Sequence, residues 1–200
     1  MLCALRGPAL DNDTKLYREL NESTATDRWL EGFDPNIKRV LIEDGERRDY
    51  WSTAASFFHG AESLREIVLE KSGCDLFQQE YAMMFLYRHS VELFLKQAIH
   101  QKVVEHNLEK LLNKLVIQIK DEYKEDISSG WFAAEIRELS KIDPTAQGFR
   151  YPEDRRGNPP LTSSFFMDLE DLGKRMKSLY SVFFNMRFAS GGFASNTKST

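Results

Sequence analysis

From Met83 to Ala98 the chain offers apolar side chains to almost every side of a helical wheel. Met83, Met84, Leu86, Tyr87, Val91, Leu93, Phe94, Leu95 and Ala98 cover most of the circumference at about 100° per residue. A helix that is apolar all round is a buried helix, so other elements must surround it. The flanking sequence supplies them. Apolar residues recur at three- and four-residue steps, which predicts helices over 50–71, 75–104, 107–124, 129–141 and 162–188. Ser72-Gly73 is expected to end the first and Asp75 to cap the second, with Gln78 and Gln79 close behind. In the first, the buried face is read as Ala54, Phe57, Phe58, Ala61, Leu64, Ile67 and Val68. Residues 143–161 contain four of the six prolines together with Gly148 and Gly157, so a long loop is expected before the last helix. The fold class is therefore all-α: a bundle of about five helices.

Three domains of behaviour are expected. Residues 1–48 form an N-terminal arm of mixed composition, with Trp29, Phe33 and the run Val40-Leu41-Ile42, and Asp44-Gly45 reads as a turn. Residues 49–188 form the helical domain, and the Gly/Ser-rich tail 189–200 is expected to be mobile. Hydrophobic residues at 42% and charged residues at 29% place the chain among globular proteins rather than disordered ones. Fourteen Phe predict an aromatic core. A net charge of −4 argues against nucleic-acid binding by bulk charge, so any such contact requires a local basic patch. Cys3 and Cys74 lack CxxC partners, and the apolar stretch at the N-terminus is interrupted by Arg6, Gly7 and Pro8. No run reaches membrane-spanning length, and a cytoplasmic protein is expected.

The chemistry lies on the buried helix. Arg88, His89, Glu92, Lys96 and His100 fall on one arc of it, interrupted by Phe85 and Ile99. Spacings of three and four residues set Glu92 beside Arg88, His89 and Lys96. One reading makes the arc a solvent face laced with weak ion pairs. The other makes it the lining of a cleft, because charge amid apolar neighbours persists only when paired and Glu92 can organise a network. A structural, hydrogen-bonded His89 is a simpler reading than a metal ligand. A di-iron bundle needs Glu-x-x-His on two helices plus further Glu, and the sequence has no second set, so no metal is expected. The second constellation is the loop from Asp143 to Pro152, with Arg150 set between Phe149 and Tyr151. An arginine there can take a carboxylate or a phosphate bidentately, or it can face water while the rings pack. Arg155 and Arg156 add positive charge that Glu153 and Asp154 offset. The loop is expected to fold over the second helix and bring Arg150 to the Arg88–His89–Lys96 stripe.

Three segments, in order, resemble the HEPN family (higher eukaryotes and prokaryotes nucleotide-binding domain). The first is Tyr87-Arg88-His89-Ser90-Val91-Glu92-Leu93-Phe94-Leu95-Lys96, which is similar to the family's second-helix signature. The second is His106-Asn107-Leu108-Glu109-Lys110-Leu111-Leu112, similar to the start of its next helix, and the third is Phe149-Arg150-Tyr151-Pro152, similar to an arginine-bearing loop. The resemblance spans roughly residues 50–187. It implies a four- or five-helix bundle, usually dimeric, with ribonuclease or RNA-binding roles in toxin–antitoxin and phage-defence systems and with an antitoxin or operon partner. The family's arginine, followed some four to six residues later by histidine, is missing before His59, His89, His100 and His106. The resemblance thus leaves a non-cleaving member or a different constellation. For cleavage, His89 or His106 would serve as base or acid, Glu92 would orient the histidine or the arginine, and Arg88, Lys96 and Arg150 would hold phosphate. Tyr151 and His100 complete the expected nucleotide-binding set. No cofactor is expected, and no Gly-rich phosphate loop is present. The alternative is a non-enzymatic helical interaction or dimerisation module with a structural polar stripe.

Overall fold

A computed structural model describes residues 49–70, 79–99, 103–154, 156–161 and 163–189, with backbone alone for the last two positions. The chain divides into two compact units, Met1–Asp44 and Gly45–Thr200, and the described residues all belong to the second. The expected N-terminal arm, the tail beyond Ala189, the Ser72-Gly73 stop, the Asp75 cap, Cys3, Cys74, His100 and Arg155 lie outside the described residues.

Among the described residues there are five helices and no strands: α1 Tyr50–Glu70, α2 Glu80–Ala98, α3 Leu108–Tyr123, α4 Trp131–Ile142 and α5 Leu169–Ala189. The all-helical reading holds. α2 packs against α1, α3 and α5, α3 packs against α4, and α1 against α5, which puts α2 at the centre as its apolar circumference requires. No helix among the described residues is long and apolar enough to cross a membrane.

The core is aromatic. Trp51 meets Phe94 at 4.9 Å between ring centroids, Phe94 stacks on Phe183 at 5.2 Å, and Phe58 stacks on Tyr180 at 4.6 Å. Rings in such offset and tilted pairs gain about 0.5–1.5 kcal/mol beyond their burial. On α3 the face of Leu108, Leu111, Leu112 and Leu115 is buried, while Glu109, Lys110, Lys114 and Lys120 face water.

Two helix boundaries and one buried face depart from the helical period. α2 does not run to Val104: Ile99 is extended at φ −83° and ψ 108°, and Val103 to Asn107 form a non-helical return. The apolar residues at 103 and 104 suit a helix, but polar groups at 105–107 make their bonds elsewhere, as described below. α5 starts at Leu169 rather than 162, because Asp168 caps it by accepting the backbone N–H groups of Glu170 and Asp171 at 2.9 and 3.0 Å. Phe165 and Phe166, expected on that helix, are exposed in the preceding loop. On α1, Ile67 is exposed, and Glu62 and Arg65 occupy the buried face instead.

Candidate functional site

Glu92 is the centre of the site. It projects from the middle of α2, 2% exposed, and its two oxygens are fully engaged. Oε1 accepts from Lys96 Nζ at 2.9 Å and lies 2.8 Å from His106 Nδ1. Oε2 accepts from Arg88 Nη1 at 3.3 Å and lies 4.0 Å from His89 Nδ1. The Arg88 and Lys96 bonds follow from helical spacing of four residues. The His106 bond does not, since that side chain comes from the return after α2. On one continuous helix residue 106 would sit roughly 21 Å along the axis from residue 92. Ending α2 at Ala98 lets the chain double back and deliver it.

Arg88 closes the network. Its guanidinium donates to Glu92, to the His106 carbonyl at 3.0 Å and to the Asp143 carbonyl at 3.2 Å, and Nε lies 3.5 Å from Asp143 Oδ2. One buried cation therefore ties α2 to the α2–α3 return and to the loop after α4. Asp143, 1% exposed, spends Oδ1 on the backbone N–H groups of Gln147 and Gly148 at 3.1 and 3.0 Å. Leu161 packs on that turn: a Cβ on Gly148 would stand 2.4 Å from Leu161 Cδ2, so a larger residue there would displace the Leu161 side chain. Asn107 adds a second tie. Its Oδ1 caps α3 by accepting from the Lys110 N–H, while its Nδ2 donates to the Pro144 carbonyl at 3.1 Å.

The buried charges balance, with Arg88 and Lys96 against Glu92 and Asp143. Burial pushes the Glu92 carboxyl up, but hydrogen bonds and charge from Lys96 and His106 outweigh it and hold the group below its ordinary range. Burial pulls His89 below its ordinary value; Glu92 opposes this, while Lys96, Arg150 and Arg88 reinforce it, so His89 is a neutral imidazole at pH 7.

The loop does lie against α2. The Arg150 guanidinium sits over the Phe85 ring at 5.5 Å and over Tyr151 at 5.2 Å, and Phe85 stacks on His89 at 5.4 Å and 11°. Arg150 and Tyr151 are exposed, as is His106, and His89 is partly so. The arc is thus neither a plain solvent face nor wholly buried. Arg88, Glu92 and Lys96 form a buried floor, and His89, His106 and Arg150 reach the surface above it. Lys96 has its ammonium turned to Glu92. No cluster of three or more His, Cys, Asp or Glu that could hold a metal occurs among the described residues. An apolar cavity of about 370 Å³, lined in part by Trp51, Phe94, Leu115 and Phe183, lies elsewhere and receives none of these groups.

Sequence reasoning placed Glu92 with its partners on α2 but did not assign Asp143 to the site. It also missed a second buried cluster. Glu62 on α1 accepts from Arg65 at 2.9 Å, from the Tyr87 hydroxyl and from Lys177 of α5 at 3.0 Å. Burial and Glu62 push the Tyr87 phenol well above its usual range, so it stays a proton donor. The available signal was the three-residue spacing of Glu62 and Arg65 inside the apolar stripe of α1. Comparison with family models, with curated proteins and with solved structures gives no match.

Proposed function

We propose that this chain is an RNA-directed effector of the HEPN type that cleaves or binds RNA without a metal. The observation that carries the reading is a single buried carboxylate, Glu92, set against two surface-reaching histidines, 2.8 Å from His106 and 4.0 Å from His89. Metal-free cleavage needs a base for the 2′-OH proton, an acid for the leaving oxygen and a cation for the phosphate. His89, neutral at pH 7 through burial, suits the base. A carboxylate only accepts, so His106 donates Nδ1–H to Glu92, which orients the ring and leaves Nε2 to face the substrate. His106 then suits the acid. In this assignment the 2′-oxygen gives its proton to His89 and bonds to phosphorus, and the 5′-oxygen leaves with a proton from His106. Arg150, exposed beside His89, meets the phosphate, while Arg88 and Lys96 hold Glu92 in place.

The wider reading includes a cytoplasmic homodimer acting in a toxin–antitoxin or phage-defence setting, with an antitoxin or operon partner. The exposed Phe165 and Phe166 support an interaction role of this kind. The same two rings favour the second reading, a non-enzymatic interaction or dimerisation module. Total RNA incubated with purified protein in excess chelator separates the two. Cleavage lost in His106→Ala and in His89→Ala supports the effector, whereas intact RNA and no salt-sensitive RNA binding support the module. Light scattering that gives a monomer at micromolar concentration counts against the dimer.

A further inference from the structure

We infer that the surface formed by Tyr81, Tyr151 and Arg150 holds the unpaired bases of a single-stranded nucleic acid by stacking. This inference deepens the RNA-directed reading and rests on it.

Tyr81, Phe85 and His89 follow one another at four-residue steps, so they share one face of α2. The loop lays Arg150 against that face, with Tyr151 on the guanidinium. The result is a continuous file of flat groups: Tyr151, the Arg150 guanidinium 5.2 Å from it, Phe85 5.5 Å further on, then His89 stacked on Phe85. Arg150 Nη2 also donates to the Tyr151 hydroxyl at 3.3 Å, which holds the two planes together. Tyr81 flanks the file and rests edge-on against the buried Phe149 at 6.5 Å. Half or more of Tyr81 and Tyr151 is open to solvent, at 56% and 50%.

Two properties of this surface select the same ligand. The Arg150 guanidinium is exposed and lies over two rings, with no carboxylate paired to it among the described residues, and a cation so placed can take an anion. The groups around it are planar, and they call for a flat partner. A nucleotide is both. A base presents a π-face to any such ring, so the contact tolerates sequence, and only an unpaired strand exposes base faces. The file ends at His89, which places stacked bases next to the phosphate that the proposed chemistry requires. The rings are held by Phe149, Phe85 and Arg150 before any ligand arrives, so little rotamer freedom remains to be lost on binding.

The test uses the full chain and a short single-stranded DNA oligomer containing 2-aminopurine, which lacks the 2′-OH and so cannot be cut by the proposed chemistry. Binding with quenched fluorescence is expected. Tyr81→Ala and Tyr151→Ala should each weaken it about tenfold, the loss typical of one base–aromatic stack. Tyr81→Phe keeps the π-face and should bind as the parent does. The same oligomer as a duplex should compete poorly. Absence of binding, equal binding by the alanine variants, or equal competition by the duplex would overturn the inference and leave the file as a protein-facing surface. RNA cleavage is scored separately: a stacked but uncut RNA refutes the cleavage assignment alone, and cleavage that ignores the loss of both tyrosine rings refutes the stacking alone.

Discussion

His106 Nδ1 stands 2.8 Å from Glu92 Oε1, although fourteen residues separate them in sequence and they belong to different segments. The contact defines how the site is made. α2 supplies the carboxylate and two cations at helical spacing, and the reversal after Ala98 brings an imidazole to the same oxygen that Lys96 occupies. The exposed ring is therefore aimed from beneath by a buried group.

Arg88 should be the residue whose loss most damages the fold. Its removal leaves Glu92 without one partner and Asp143 without its only ion pair among the described residues. Breaking a buried pair by deleting one member costs about 3–5 kcal/mol. Arg88→Met should show this loss in urea unfolding at pH 7. Arg88→Lys should recover little, because an ammonium cannot reproduce a planar fork that serves three acceptors. A midpoint within experimental error of the parent would refute the clamp.

Glu92 and Glu62 both titrate below the ordinary 4.5, in each case because hydrogen bonds from cationic or hydroxyl partners outweigh the upward push of burial. For a carboxyl whose folded value is depressed, the stabilisation is complete above the unfolded value and is lost as pH falls through the folded one. The parent should hold its stability down to about pH 4.5 and lose it steeply below. Glu92→Gln should be less stable at neutral pH and should show a shallower acid limb. Identical limbs in parent and variant would mean that Glu92 is not held as a charged group.

Gly173 is the position on α5 where a single methyl should cost most. A Cβ there would stand 2.7 Å from the Arg65 guanidinium, which is itself buried and bonded to Glu62. Gly173→Ala should lose about 1–3 kcal/mol by overpacking in spite of its better helix propensity. Tyr87→Phe, which removes the hydroxyl that Glu62 accepts from, should lose about 1–3 kcal/mol by a different route. Thermal melts that show Gly173→Ala unchanged or stabilised would place Arg65 elsewhere.

Arg150→Ala should reduce RNA cleavage or RNA affinity at least tenfold, if its charge meets a phosphate beside His89, while leaving the unfolding midpoint within about 0.5 kcal/mol. Arg156→Ala is the control, an exposed arginine of the same loop outside the file. Equal effects of the two substitutions on folded protein would remove Arg150 from the site.

Much of this arrangement could be read in the residues. The circumference of α2 announced a central helix, and the four-residue steps from Arg88 to Glu92 to Lys96 announced the network. The prolines of 143–161 announced the loop, and Arg150 between two aromatics announced its contact with α2. What stayed hidden depended on choices that local periodicity does not contain. Val103 and Val104 continue an apolar pattern, so nothing local marks Ala98 as the last helical residue; the Glu92 carboxylate and Arg88 guanidinium lie further back on α2 and hold His106 only once the chain has left the helix. Phe165 and Phe166 fit a helical stripe, and the Asp168 cap overrode them. Glu62 and Arg65 look like solvent-facing polar residues until Tyr87 and Lys177 are seen to meet them. Asp143 looks like a turn residue, and its bond to Arg88 spans fifty-five residues.

The three-way engagement of Arg88 also governs how the molecule can open. Lifting the segment at Asp143, or the return at His106, would strand a guanidinium in an apolar interior. Neither segment can breathe alone at low energy, so the two should exchange their amide hydrogens together with the centre of α2, as one cooperative unit. The loop after α4 is therefore a fixed wall at its Asp143 end and not a lid. A ligand therefore meets His106 and Arg150, both exposed, against a backbone that is already in place at this end of the loop.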